Sequence, residues 1–93
     1  MSDDLVEKDC LVRNKMGLHA RPAAKLVQAA NKFRCEVTLT KDGQDVNGKS
    51  IMGVLMLVAS KGTFILVRAR GADASDCLLA LSGLVRDRFG EER

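Results

Sequence analysis

The single histidine of this sequence, His19, is the residue whose type and position best suit chemistry. It lies directly before an apolar helical pattern, two residues after Gly17 and two before Arg21, which is followed by Pro22. Backbone N–H groups at the start of a helix lack intrahelical partners, and the positive end of the helix dipole attracts anions. The guanidinium of Arg21 can bind two oxygens of a phosphate group. The spacing therefore predicts a histidine that accepts a phosphoryl group beside an anion-binding helix end.

Other kinds of site find little support in the sequence. It has no phosphate-binding P-loop, no dinucleotide-binding glycine pattern and no histidine–cysteine cluster, so we expect no cofactor and no metal. The three cysteines, Cys10, Cys35 and Cys77, lack C-x-x-C spacing, which predicts three buried free thiols in a reducing compartment. A lone histidine is often structural or merely exposed, so the competing interpretation is that His19 does no chemistry.

Composition narrows the class of partner. A net charge of +3 without a block of basic residues argues against binding of nucleic acid. With 3% aromatic residues, few side chains could stack on bases. Binding of nucleic acid through Lys15, Arg21, Lys25 and Lys49 is a minor hypothesis, and it predicts strong salt dependence. The acidic start and the lack of a membrane-spanning apolar run predict a cytoplasmic protein without membrane contact. A monomer is the simplest expectation.

Two helices are predicted in the first sixty residues from apolar periodicity and end signals. The first begins near Arg21 or Pro22 and ends near Phe33, with apolar residues spaced i, i+3, i+4 and i+7. A short second helix follows Ser50, which is a good N-cap residue. This helix is apolar nearly all round, although it contains Gly53, so part of it is expected to be an exposed contact surface.

Four strands and a third helix complete the pattern. Alternation of apolar and polar residues predicts strands over 5–13, 35–40 and 63–70. The hairpin signal at Asp42-Gly43 predicts that a short strand over 44–47 returns antiparallel. Asp73 is expected to cap the third helix and Gly90 to end it. The order β-α-β-β-α-β-α over one domain, residues 1–93, predicts an α+β fold of two layers. An antiparallel four-stranded sheet would carry three helices on one face and leave the other face wet.

Two stretches resemble the HPr family, the small phosphocarriers of the bacterial phosphoenolpyruvate-dependent phosphotransferase system. GLHARPA at residues 17–23 is similar to the phosphorylation-site motif of the family, and NGKSIM at 47–52 is similar to its serine region. The likeness extends over residues 5–89 and implies an open-faced β-sandwich with sheet order 1-4-2-3. The residues at 14–17, 23–25, 55–57 and 60–62 are closer to those of the nitrogen-related NPr branch than to those of the sugar-uptake branch.

The resemblance also implies a set of roles. Enzyme I, or its nitrogen-branch paralogue, would phosphorylate His19 on Nδ1, with phosphoenolpyruvate as the ultimate donor. A histidine of an EIIA-type protein would then accept the group, so the chain would be a stoichiometric carrier rather than an autonomous enzyme. Arg21 and the backbone amides of Ala20 and Arg21 would hold the phosphate. The implied docking residues are apolar: Met16, Leu18, Ile51, Met52, Leu55 and Met56. The basic surround expected for His19 comprises Arg13, Lys15, Arg21, Lys25 and Lys49.

The sequence leaves three questions open. Ser50 matches a serine that a dedicated kinase phosphorylates in some family members, but a role as a helix cap is the favoured explanation. Gly53 costs about 1 kcal/mol relative to alanine in a helix, and it either flattens the docking surface or has no role. Finally, the domain could be a regulatory interaction module that controls a kinase or transporter and carries little phosphate.

Overall fold

The chain is described over residues 4–91 by a computed structural model. Along the chain lie β1 (Leu5–Leu11), α1 (Ala20–Ala30), β2 (Glu36–Lys41), β3 (Gln44–Asn47), α2 (Ile51–Met56), β4 (Phe64–Arg70) and α3 (Ala74–Arg86). A single 3-10 turn, Arg88–Gly90, follows α3. The predicted order of elements is confirmed, with strand and helix ends displaced by a few residues.

The four strands form one antiparallel sheet in the order β1-β4-β2-β3, as the resemblance implied. The central strand β4 has a strict alternation: Ile65, Val67 and Ala69 are fully buried, whereas Leu66 and Arg68 are partly exposed on the other face. Because side chains alternate across a strand, one face of the sheet packs against the helices and forms the core. The two-layer α+β fold is therefore confirmed.

The opposite face of the sheet is open to solvent, as predicted, and it carries polar side chains together with the exposed Phe64. Arg68 lies 3.2 Å from the carboxylate of Asp45 and donates a 3.1 Å hydrogen bond to the hydroxyl of Thr40. The Thr40 hydroxyl donates to Asp45 over 2.6 Å. This bond first, and the nearby Arg68 charge after it, hold the pKa of Asp45 below its usual value.

Helix α1 buries the predicted stripe but ends at Ala30, earlier than Phe33. The reason lies in the backbone, since the N–H groups of Lys32 and Phe33 donate to carbonyls three residues back, over 3.1 and 3.2 Å. The Asn31 amide also donates to the carbonyl of Val27. These shorter turns close the helix.

Helix α3 corrects two expectations. Asp73 occupies the N-cap position but makes no cap bond, because its carboxylate accepts the backbone N–H groups of Arg34 and Cys35 at 2.8 and 2.9 Å. Those bonds, Arg34 first, hold the pKa of Asp73 below its usual value. The helix ends at Arg86 rather than at Gly90, which instead closes the following 3-10 turn.

The three cysteines are buried and unpaired, as expected. Burial raises the pKa of each thiol above its usual value, and it raises that of Cys77 to about 12. Such thiols are poor nucleophiles. Within residues 4–91 no helix has the length and apolar character to cross a bilayer, and no cluster of ligating side chains suits a metal ion. The cytoplasmic location stays a prediction.

Candidate functional site

The start of α1 has unused hydrogen-bond donors. His19 is the N-cap residue, with φ −79° and ψ −171°, and its side chain makes no cap bond. Ala23 N–H already donates to the His19 carbonyl over 3.0 Å, and Pro22 has no N–H. Over the described residues this leaves the N–H groups of Ala20 and Arg21 without partners, and the first turn has no acidic residue. The geometry suits an anion bound beside the imidazole.

A tightly fixed loop delivers His19 to this helix end. Gly17 has φ +66°, and a Cβ there would lie 2.3 Å from the carbonyl oxygen of Ala59. Next to it, the backbone N–H of Leu18 donates to that same oxygen over 2.8 Å. The loop before α1 is therefore held against the segment that follows α2, and only glycine fits at position 17.

Leu18 does not belong to the docking surface implied by the resemblance. Its side chain is only 4% exposed and packs in the core. The residue types around the motif did not distinguish a buried leucine from an exposed one, because the loop has no periodicity to indicate which side faces inward. Leu18 instead helps to anchor the loop that carries His19.

The C-terminal segment supplies a carboxylate that sequence reasoning missed. Oε2 of Glu91 lies 3.2 Å from Nε2 of His19, without the alignment of a hydrogen bond. The other carboxylate oxygen accepts a 3.1 Å bond from the amide of Asn14, which is fully buried and also donates to the Gly17 carbonyl over 2.6 Å. Asn14 and Glu91 are 77 positions apart, and no local pattern relates them.

The two nitrogens of the His19 ring lie in different environments. Nε2 is buried and faces Glu91, yet 37% of the side chain is exposed. The exposed surface of the ring therefore lies away from Nε2. Nδ1 makes no hydrogen bond within residues 4–91 and is not among the buried atoms without a partner, so an approaching group can reach this nitrogen.

Basic residues surround this site, although the set differs from the expected one. One shallow depression is lined by Lys15, Met16, His19, Arg21, Lys25, Gly90 and Glu91. A neighbouring groove is lined by basic residues that include Arg13 and Lys15 from the expected set, and Lys61 and Arg88, which were not expected. The prediction that Lys49 belongs to this basic surround is wrong, because its Nζ donates to the Phe33 carbonyl beyond the opposite end of α1.

The side chains of Arg21 and Lys25 differ in whether they already have a bonding partner in the folded chain. The Arg21 side chain is exposed and has no ion pair or hydrogen bond within residues 4–91. Lys25 is one turn further along α1, and its Nζ donates to the Phe89 carbonyl over 2.6 Å. Arg21 is therefore free to bind a ligand, whereas Lys25 fastens the C-terminal segment to α1.

The start of α2 has a conventional cap. Ser50 Oγ accepts the N–H of Gly53 over 3.1 Å, which confirms the capping role expected for Ser50. A Cβ at Gly53 would lie 3.1 Å from the Asn47 carbonyl oxygen, closer than most such contacts. A side chain at position 53 would thus crowd this carbonyl, which is a steric reason for glycine there that the sequence could not reveal.

The apolar surface of α2, defined as Ile51, Met52, Leu55 and Met56, is exposed as expected. The exposed fractions of these side chains run from 37% for Leu55 to 73% for Met52. Met16, in the loop before His19, is 68% exposed. Val58, which was not expected, is 74% exposed and has φ +50°. Met16, Val58 and the apolar surface of α2 are thus available for contact with a partner, in contrast to Leu18.

Comparison with known proteins gives one consistent result. The family model described as the PTS HPr component phosphorylation site matches residues 6–87. A phosphocarrier protein HPr of Xylella fastidiosa is 50% identical over 88 residues, which cover 95% of this chain and 99% of that protein. The HPr-like protein Crh of Bacillus subtilis is 46% identical over 83 residues, covering 89% and 98%.

Solved structures agree with the sequence matches. HPr-C-His from Thermoanaerobacter tengcongensis superposes with a TM-score of 0.91 at 43% identity, covering 95% of this chain and 99% of that one. HPr from the same organism is also known as a dimer. The Xylella relative is named as a phosphocarrier and the Bacillus relative as an HPr-like protein, and neither is named as an enzyme. The chain therefore belongs to the HPr family of phosphocarrier proteins of the phosphotransferase system.

Proposed function

We propose that His19 accepts a phosphoryl group on Nδ1 from phosphorylated enzyme I and passes it to a histidine of an EIIA-type protein. The observation that carries this proposal is the contrast within one ring. Nε2 is buried against Glu91, while the exposed side of the ring lies at a helix end with two unpartnered N–H groups. Such an end can hold the phosphoryl oxygens while the ring holds phosphorus.

The transfer needs only one bond to form and one to break. The lone pair of Nδ1 attacks phosphorus, and the bond between phosphorus and the donor atom breaks with its electron pair returning to the donor. Passing the group on reverses these roles, with the acceptor histidine attacking the phosphorus on His19. The chain must therefore bind the group firmly enough to carry it and loosely enough to release it.

Ala20 and Arg21 hold the phosphoryl oxygens in this proposal. Their N–H groups are the free donors of the first turn of α1, and the guanidinium of Arg21 adds a charge-assisted bond. The helix dipole contributes in the same direction. None of these groups needs to leave another partner among residues 4–91, so binding costs little rearrangement.

The donor and the acceptor dock on an apolar surface with a basic border. Met16 and the apolar surface of α2 supply exposed methionine, leucine and isoleucine side chains. Lys15 and Arg21 border the depression around His19, which favours acidic residues on a partner. The NPr branch assignment and the monomeric state stay predictions, and a dimer of a relative shows that other states exist in the family.

The test is phosphorylation of the purified chain by phosphoenolpyruvate and enzyme I. We expect a mass gain of one phosphoryl group that is labile in acid and stable in base. His19→Ala should abolish it, and Lys32→Ala, an exposed cation at the other end of α1, should leave it unchanged. No label on the wild type, or equal label on His19→Ala, would contradict the proposal.

A regulatory role is the second candidate, favoured by the similarity to Crh, whose solution structure is described as the catabolite repression HPr of Bacillus subtilis. In this case the apolar surface of α2 would bind a regulated protein, and Ser50 could be the target of a serine kinase. Partner binding that is unchanged by His19→Ala but lost in Met52→Asp would favour regulation over phosphate transfer.

A further inference from the structure

We propose that Glu91 is a positioning residue that holds the His19 ring so that Nδ1 faces the incoming phosphoryl group. This inference rests on the proposed function of His19. It adds a residue from the opposite end of the chain to the transfer site. The carboxylate lies 3.2 Å from Nε2, the nitrogen that takes no part in the transfer.

The carboxylate is itself held on its second oxygen. Asn14 donates to that oxygen over 3.1 Å and to the Gly17 carbonyl over 2.6 Å. Asn14 is fully buried, so its bond to Gly17 is shielded from water, whereas its bond to Glu91 is partly buried. Asn14 therefore connects Glu91 to the same loop that delivers His19.

The backbone of the C-terminal segment is also anchored. Phe89 is 1% exposed, and its carbonyl accepts the Nζ of Lys25 over 2.6 Å. The N–H of Glu91 donates to the Arg88 carbonyl over 2.9 Å. Phe89 has φ +55°, a conformation that a bulky residue adopts only when its surroundings favour it. Glu91 is thus placed by packing on α1.

A carboxylate next to Nε2 has a definite chemical consequence. A neutral imidazole carries one proton, and an acceptor beside Nε2 favours the tautomer protonated there. The lone pair then lies on Nδ1, where the phosphoryl group is received. When phosphorus bonds to Nδ1 the ring becomes more positive, and the negative charge of Glu91 stabilises it. The arrangement resembles the carboxylate–histidine pairs that orient metal ligands and catalytic bases.

The main competing explanation is that Glu91 blocks the site. Its carboxylate is an anion close to the positive end of α1, so it could compete with the phosphoryl group for the depression. The two explanations predict opposite changes in rate when the carboxylate is removed. Blocking predicts faster phosphorylation, and positioning predicts slower phosphorylation.

The test compares Glu91→Ala and Glu91→Gln with Asp87→Ala, which removes an exposed carboxylate four residues earlier. The readouts are the tautomer of the neutral His19 ring, from its 15N chemical shifts, and the rate of phosphorylation by enzyme I. We expect Glu91→Ala to lower the share of the Nε2-protonated tautomer and to slow phosphorylation about tenfold. Glu91→Gln keeps an acceptor oxygen and should fall between, and Asp87→Ala should match the wild type.

The outcomes separate this proposal from the proposed function. Phosphorylation of wild-type His19 with an unchanged tautomer and rate in Glu91→Ala would overturn the role of Glu91 alone. Faster phosphorylation of Glu91→Ala would overturn it in favour of blocking. If wild-type His19 takes no phosphoryl group, the proposed function fails, whereas the tautomer measurement on the unphosphorylated protein still reports whether Glu91 orients the ring.

Discussion

Two helix starts in this small domain are built in opposite ways. At α2, the side chain of Ser50 accepts the N–H of Gly53, and the helix satisfies its own first turn. At α1, His19 occupies the cap position without capping, and the N–H groups of Ala20 and Arg21 have no partner within residues 4–91. A serine at the start of α1 would stabilise the helix, but it would use a donor that a ligand needs.

The difference indicates where the fold gives up stability for function. An N-cap residue contributes about 1 kcal/mol, and a small domain has little stability to spare. At α1 that contribution is absent, and rigid support is found elsewhere. The loop at Gly17 packs against Ala59, and Lys25 and Glu91 join the C-terminal segment to the helix. Support from neighbouring segments thus replaces the local cap.

The largest effect is expected from Gly17→Ala, which disrupts the packing of the loop before α1 against Ala59. A Cβ would meet the Ala59 oxygen at 2.3 Å and face a φ of +66°. We expect a loss of at least about 3 kcal/mol in the free energy of unfolding. Gly43→Ala is the matched control, with φ +79° and open space around the Cβ, and should cost only about 1 kcal/mol. Equal losses in urea denaturation would show that the loop is not tightly packed.

Arg21→Ala should separate function from stability at α1. Hydrogen bonds to charged groups contribute about 1.5–3 kcal/mol, so losing one in the transfer step should slow phosphorylation about 10- to 100-fold. The urea midpoint should not move, because the side chain has no partner within residues 4–91. Lys32→Ala, which removes an exposed positive charge beyond the other end of α1, is the control for loss of charge alone. A shifted midpoint with an unchanged rate would contradict this assignment.

Exchanging the caps tests the comparison from both sides. Ser50→Ala removes the Gly53 bond and should cost about 1 kcal/mol while leaving phosphorylation of His19 intact. His19→Ser supplies a cap to α1 and should raise the free energy of unfolding by up to about 1 kcal/mol while abolishing phosphorylation. Urea denaturation measures both changes. A loss of stability in His19→Ser would mean that the start of α1 is not short of a cap.

The smallest effect concerns the start of α3 and depends on pH. Asp73 has a lowered pKa because Arg34 and Cys35 N–H groups bond its carboxylate. Its contribution to stability is therefore complete above about pH 4, the value of an unperturbed carboxyl, and is lost as the pH falls through the lower folded-state pKa. The difference in urea midpoint between wild type and Asp73→Asn should shrink on acidification. A difference that stays constant down to pH 2 would contradict the cause assigned to this shift.

The sequence predicted elements better than contacts between distant segments. Periodicity placed the helices and strands, and the motif placed His19 beside a helix start, because both signals are local. Contacts that depend on tertiary packing were missed or misassigned. Leu18 proved buried, Asp73 bonds a neighbouring loop, and Lys49 lies at the far end of α1. Glu91 could not be found at all, since only the folded chain brings it to His19.

The central claim is that the uncapped start of α1 holds the phosphoryl group on His19. The most direct test is the backbone amide spectrum of the 15N-labelled protein before and after phosphorylation by enzyme I. We predict that the amide protons of Ala20 and Arg21 shift downfield as they bond the phosphoryl oxygens, while the capped amide of Gly53 stays in place. Phosphorylation of His19 that leaves the Ala20 and Arg21 amides unmoved would contradict the account.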